Sequence, residues 1–133
     1  MPHHEQSMTI VVDDDPRERR DLVLLELARG HDAMVVEDAL DRFTQLGRAW
    51  APTALIADQR ALGIHLPLVA AKLATVSPYP RLVLVGDGEH LIPVTMRAAL
   101  GIFAVLVRPI ALDLLFSLVD SLYVQQRCHA STR

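Results

Sequence analysis

Lysine is nearly missing from this chain: of its 13 Lys and Arg residues only Lys72 is a lysine. A role that needs a compact ammonium anywhere else must therefore fall to a guanidinium, which is a planar fork and not an equivalent group. Cysteine is as scarce. The lone Cys128 has no partner, which excludes a disulfide framework and points to a reducing, cytoplasmic setting. No apolar run approaches the length of a membrane span, and the polar Met1 to Ser7 segment, with His3 and His4, lacks the order of a secretory signal. A net charge of -3 and a pI near 6.0 give no electrostatic reason to expect nucleic-acid binding, which would need a basic face. No block of like charge marks a solvated tail. Glycine is sparse too, and none follows the first apolar run, so the phosphate-cradling loop of nucleotide-binding α/β proteins is absent.

What the chain does have is apolar material, 51% of 133 residues, enough for one domain with one sizeable core. Strand-like runs alternate with helix-like segments. The expected strands are Thr9 to Val12, Ala33 to Val36, Thr53 to Ala57 closed by Asp58, Leu82 to Val85, and Ala104 to Val107. A helix should start at Asp15-Pro16, an N-cap acid followed by a proline in the first turn, and stop at Gly30. Further helices are expected over Asp38 to Leu46, Pro67 to Val76, Leu91 to Leu100 and Ala111 to Gln126, with a loop from Gln59 to Leu66. Such alternation predicts a parallel sheet covered on both faces by five helices. The organisation is an extension over 1–8, a domain over 9–127 and a tail over 128–133.

The last segment is the clearest amphipathic element. Leu112, Leu115, Phe116, Val119, Leu122 and Tyr123 form its apolar stripe, while Leu114 and Leu118 fall off it and suit contact with a second copy of the chain.

Three strands end in groups with related chemistry: the first at Asp13-Asp14, the third at Asp58 and the fifth at Arg108-Pro109. If the strands are neighbours in a parallel sheet, these ends meet in the crevice outside their carboxyl ends. An adjacent carboxylate pair with a third carboxylate is a hard, oxygen-only donor set that suits Mg²⁺.

This order of acid pair, isolated strand-end acid and strand-end cation followed by proline resembles the receiver domain of bacterial two-component response regulators, over residues 9 to about 127. The resemblance implies a flavodoxin-like, doubly wound, three-layer α/β/α fold with strand order 2-1-3-4-5. It implies Mg²⁺ at Asp13 and Asp14, a phosphoryl-accepting Asp58 and a backbone carbonyl ligand from Arg60. Gly63 stands where the family's loop often carries glycine, and Arg108-Pro109 matches the family's cation and cis-proline. The implied partner is a sensor histidine kinase or phosphotransfer protein, with no reaction on an external substrate.

Several positions depart from the family. Gly86 replaces the Thr or Ser whose hydroxyl would bond the phosphoryl group, and Asp87 replaces a small apolar residue. Arg108 replaces the lysine, and Val105 replaces the aromatic that swings inward in the switch. Ala61-Leu62 stands for a common Met-Pro pair, and Leu66 for a frequent glycine. The acids support a phospho-accepting regulator. The altered switch positions support an alternative, a pseudo-receiver that binds partners or dimerises without phosphorylation.

Overall fold

The structure, a computed structural model, describes residues 8–35, 53–75, 80–88 and 91–131. In chain order the elements are β1 (Met8–Val12), α1 (Pro16–Ala28), β2 (Asp32–Val35), β3 (Ala54–Asp58) and α2 (Gln59–Leu62). A 3-10 turn (Gly63–His65) leads into α3 (Leu66–Ala74), followed by β4 (Arg81–Gly86), α4 (Val94–Leu100), β5 (Ala104–Val107) and α5 (Leu112–Ser131). The strands form one sheet in the order β2-β1-β3-β4-β5, and each neighbouring pair is parallel.

Successive side chains of a strand point to opposite faces, so a strand covered on both sides must be apolar throughout. Every residue of β3 is buried, as are the last four of β1 and the last five of β4. Ile10, Leu55 and Leu84 pack on one face with Leu66, Val69 and Leu73 of α3. Val11, Ile56 and Val83 pack on the other with Leu22 of α1 and Leu115, Val119 and Leu122 of α5. The result is the three-layer α/β/α architecture with the expected strand order.

Local signals explain the element boundaries. The Asp15 side chain caps α1 by accepting from the Arg17 N–H at 3.0 Å, with Pro16 in the first turn. Beyond the Arg29 C-cap, Gly30 adopts φ 84, a left-handed conformation that glycine enters without a Cβ penalty. The segment 59–66, expected as a loop, is helical instead. Asp58 acts as its N-cap, its Oδ1 accepting from the Arg60 N–H at 3.3 Å, and Gly63 at φ 55 ends the short turn. Pro93 places the start of α4 at Val94 rather than Leu91. The last helix continues to Ser131, past the expected end at 126. With α2 and α3 taken as one interrupted helix, the described residues hold four helices. The fifth, expected over Asp38 to Leu46, lies outside them.

On α5, Leu115, Val119, Leu122 and Tyr123 are buried as expected, but Leu112 is 47% exposed. It precedes the part of the helix that lies on the sheet and lines a surface groove with Pro109 and Ile110. Leu114 is half exposed, whereas Leu118 packs against the core cluster, so only the first of these two leucines is free for an outside contact. No described helix is long and apolar enough to cross a membrane.

At the amino ends of the strands lies a polar network that patterning did not foresee. Glu26 is buried, and its Oε1 accepts from the Thr9 hydroxyl at 2.8 Å and faces His31 Nδ1 at 3.1 Å. Tyr123 Oη meets the Thr9 hydroxyl at 2.6 Å, and its ring stacks on His31 with centroids 3.9 Å apart. His31 Nε2 lies 3.3 Å from Asp120 Oδ1, and Arg29 pairs with Asp120 while sitting over the Phe116 ring.

Candidate functional site

Parallel pairing delivers the strand ends to one edge. Val12 stands beside Ala57, Asp58 beside Val85, and Gly86 beside Val107, so Asp13, Asp58, Asp87 and Arg108 surround one cleft. Asp13 and Asp58 are only 4% and 7% exposed. Asp14, the second of the expected pair, is exposed. Among the described residues no three His, Cys, Asp or Glu side chains converge as a metal-binding group.

Asp13 Oδ1 accepts from the Asp15 N–H at 2.8 Å, while its Oδ2 is buried without a hydrogen-bond partner. Burial pushes the Asp13 carboxyl up to about 7, helped by the neighbouring Glu18 carboxyl and by the charge of Asp58. The Asp15 N–H opposes that rise.

Arg108 is the cation of the site, and its peptide bond to Pro109 is cis, as the resemblance implied. Its Nη2 lies 3.2 Å from Asp58 Oδ1 and 3.8 Å from Asp13 Oδ2. Its closest partner, however, is Glu18 of α1. Nε reaches Glu18 Oε2 at 3.0 Å and Oε1 at 3.2 Å, and Nη2 donates to Oε1 at 2.6 Å. This pairing holds Glu18 below its usual carboxylate range, the Arg108 hydrogen bond being the main cause, and holds Arg108 more firmly charged.

Asp87 does face the cleft, but it is not a bare charge. Arg60 Nη2 donates to its Oδ2 at 2.9 Å, and Arg108 Nη1 lies 3.6 Å from its Oδ1. Arg60, expected to matter through its carbonyl, thus also contributes its side chain. Gly86 is covered: a Cβ at this position would stand 2.9 Å from Leu91 Cδ2 and 3.7 Å from Gln59 Cβ. Gln59 holds the covering segment, its Oε1 accepting from the Ile92 N–H at 3.3 Å. Beyond Asp58 and Asp87 the cleft continues for about 820 Å³ toward Ile64, Leu66, Ile92 and Met96.

Glu18, Leu91 and Gln59 escaped the sequence reading. Glu18 lies three residues after the Asp15 N-cap, the place of the second half of a capping box, and so carries an ordinary structural explanation. Its long-range partner Arg108, 90 residues away, is visible only in the fold. Leu91 reads as the start of an amphipathic helix, and only the neighbouring Gly86, lacking a side chain, hints that something must fill the space.

No protein-family model matches the chain, and no curated protein sequence matches it. Solved structures do. A response regulator receiver protein from Burkholderia phymatum is 21% identical, with a TM-score of 0.71 over 86% of this chain and 93% of that one. A response regulator receiver domain protein from Clostridium thermocellum is 14% identical, with a TM-score of 0.75 over 92% and 98% of the two chains. An adenylate cyclase from Rhodopirellula baltica is 16% identical, with a TM-score of 0.76 over 96% and 94%. At these identities the likeness is one of fold, and together with the strand order and helical layers it shows that this chain has the CheY-like fold of response regulator receiver domains.

Proposed function

We propose that the chain is a receiver in phosphorelay signalling and that Asp58 accepts a phosphoryl group from a histidine kinase or phosphotransfer protein. One observation carries this reading: Arg108 Nη2 stands 3.2 Å from Asp58 Oδ1, beside an Asp13 oxygen that is buried with no hydrogen-bond partner. An acceptor, a cation and an unsatisfied hard ligand thus share one cleft.

In the transfer an Asp58 oxygen attacks phosphorus in line, the P–N bond to the donor imidazole breaks, and its electron pair leaves on that nitrogen. Charge spreads over the equatorial oxygens, so electrostatic stabilisation rather than bond chemistry is the protein's contribution. Arg108 supplies donors on one side. Mg²⁺ commonly uses one or two carboxylates plus water, and Asp13, Asp58 and the Arg60 carbonyl fit that pattern, with Asp14 toward solvent. When bound, the ion would neutralise charge on the transferring group. The chain would act on its own Asp58 and not on an external substrate.

The test is intact-mass measurement after incubation with acetyl phosphate and Mg²⁺, beside an Asp58→Asn control. One added phosphoryl group on the unaltered chain alone supports the reading, and no addition overturns it. That second result would favour a pseudo-receiver working through protein contacts, a reading supported by Leu91 filling the space over Gly86 and by Asp87 paired with two arginines.

A further inference from the structure

We propose that Glu18 is a positioning residue for Arg108, and that the two side chains together do the work that a single cation does at this strand end; the proposal rests on Asp58 being the phosphoryl acceptor.

A guanidinium has five N–H donors in a fixed plane. Glu18 engages the edge formed by Nε and Nη2, at 3.0 Å and 2.6 Å. With that edge held, the rest of the fork can point only one way. Nη2 also stands in ion-pair contact with Asp58 Oδ1, at 3.2 Å, and Nη1 with Asp87 Oδ1, at 3.6 Å. Glu18 pairs with Arg108 and also borders Asp13, whose proton affinity it raises, and the part of its effect that passes through Arg108 is what a double-mutant cycle isolates.

Holding matters here because three other carboxylates compete for the fork. Asp13, Asp58 and Asp87 all lie within 3.8 Å of it. Without Glu18, the long arginine side chain could turn fully toward Asp87 at the rim, whose side chain is 43% exposed, and away from the acceptor. Glu18 and Arg108 are themselves only 20% and 25% exposed. A two-point, charge-assisted pair so shielded is stronger than an exposed one. Glu18 sits in the first turn of α1 and Arg108 just after β5, so the pair also spans the cleft from one side to the other.

The arginine is then no isolated replacement for lysine. An ammonium is a point charge without the fixed two-edged fork that meets Glu18 in two places and Asp58 in a third, so Arg108→Lys should weaken the hold on Glu18 and lose rate, not gain it.

The experiment is a double-mutant cycle with Glu18→Gln, Arg108→Lys and both together, read as the rate of Asp58 phosphorylation by acetyl phosphate with Mg²⁺. Glu18→Gln should lower the saturating rate about tenfold, the size of one charge-assisted hydrogen bond, and leave the half-saturating donor concentration unchanged. The double variant should be no slower than Arg108→Lys alone. Fully multiplicative losses would overturn the proposal. A second readout needs no phosphorylation: the Arg108 Nε–H NMR signal of the unmodified protein should be sharp and slow to exchange, and lost in Glu18→Gln. An unchanged signal in the variant also overturns it. If the unaltered chain takes no phosphoryl group, the function fails while this signal still decides whether Glu18 holds Arg108.

Discussion

Leu91 covers Gly86 so closely that its Cδ2 would stand 2.9 Å from a Cβ placed there. The place where the family carries a hydroxyl side chain is therefore filled by a leucine from the next segment, and the glycine and the leucine form one packing unit. Substituting Gly86→Thr should not restore the family's hydrogen bond. It should overpack the site and lower stability by about 1–3 kcal/mol, toward the low end because the obstructing atom is the tip of a flexible chain. Adding Leu91→Ala should recover much of that loss, and urea midpoints of the single and double variants check it.

Asp13 gives the stability a definite pH dependence. Its folded value of about 7 lies above the ordinary 3.8, so between these limits the folded chain keeps a proton that the unfolded chain has released. The contribution is full below pH 3.8 and is lost as pH rises toward 7. Glu18 is shifted the other way, and its contribution is lost only as pH falls below 4.5, so above that pH the Asp13 window stands alone. Asp13→Asn should therefore be more stable than the unaltered chain at pH 8, by a margin that shrinks toward pH 4. At pH 8 Mg²⁺ should raise the midpoint of the unaltered chain and not that of Asp13→Asn, by linkage of binding to folding. Chemical denaturation across pH, with and without the ion, measures both.

The network around Glu26 should dominate stability far from the cleft. Tyr123→Phe removes one hydroxyl and leaves Thr9 still donating to Glu26, at a cost of about 1 kcal/mol. Glu26→Ala removes the shared partner of Thr9 and His31, leaving each with one contact, and opens a cavity, and should cost about 3 kcal/mol or more. Urea denaturation ranks the two variants, and the reverse order would show that the phenol, not the carboxylate, organises this end of the sheet.

Leu114 is the off-stripe leucine that remains exposed on α5. If a second copy docks there, Leu114→Arg should abolish any rise in mass with concentration in sedimentation, while the unfolding free energy stays within about 0.5 kcal/mol of the original. Leu118→Arg should instead destabilise the monomer, because that side chain packs on the core.

Which parts of this molecule could be read before folding follows from the range of the interactions. The central strands announce themselves because burial on both faces forces continuous apolar runs, and each acid or cation at a strand end stands out against such a run. The segment after Asp58 did not announce itself, because one helical turn is too short to show a period. Its cap, moreover, is the same aspartate that reads as a chemical group. Leu112 has the spacing of the buried stripe, yet it is the first residue of its helix and overhangs a surface groove. Glu18 with Arg108, and Leu91 with Gly86, are contacts between distant or bent segments that no local pattern encodes.

The bond between Tyr123 and Thr9 also sets how the last helix can respond to events at the other edge of the sheet. Sliding α5 along its axis by one residue would break that bond and the approach of Asp120 to His31 together. Tilting it about the Tyr123 end would leave both in place. The bond thus pins α5 at the rear of the sheet, Leu115 and Val119 bury its middle, and only its first residues, with Leu112 and Leu114 exposed, stand out a few residues beyond Arg108.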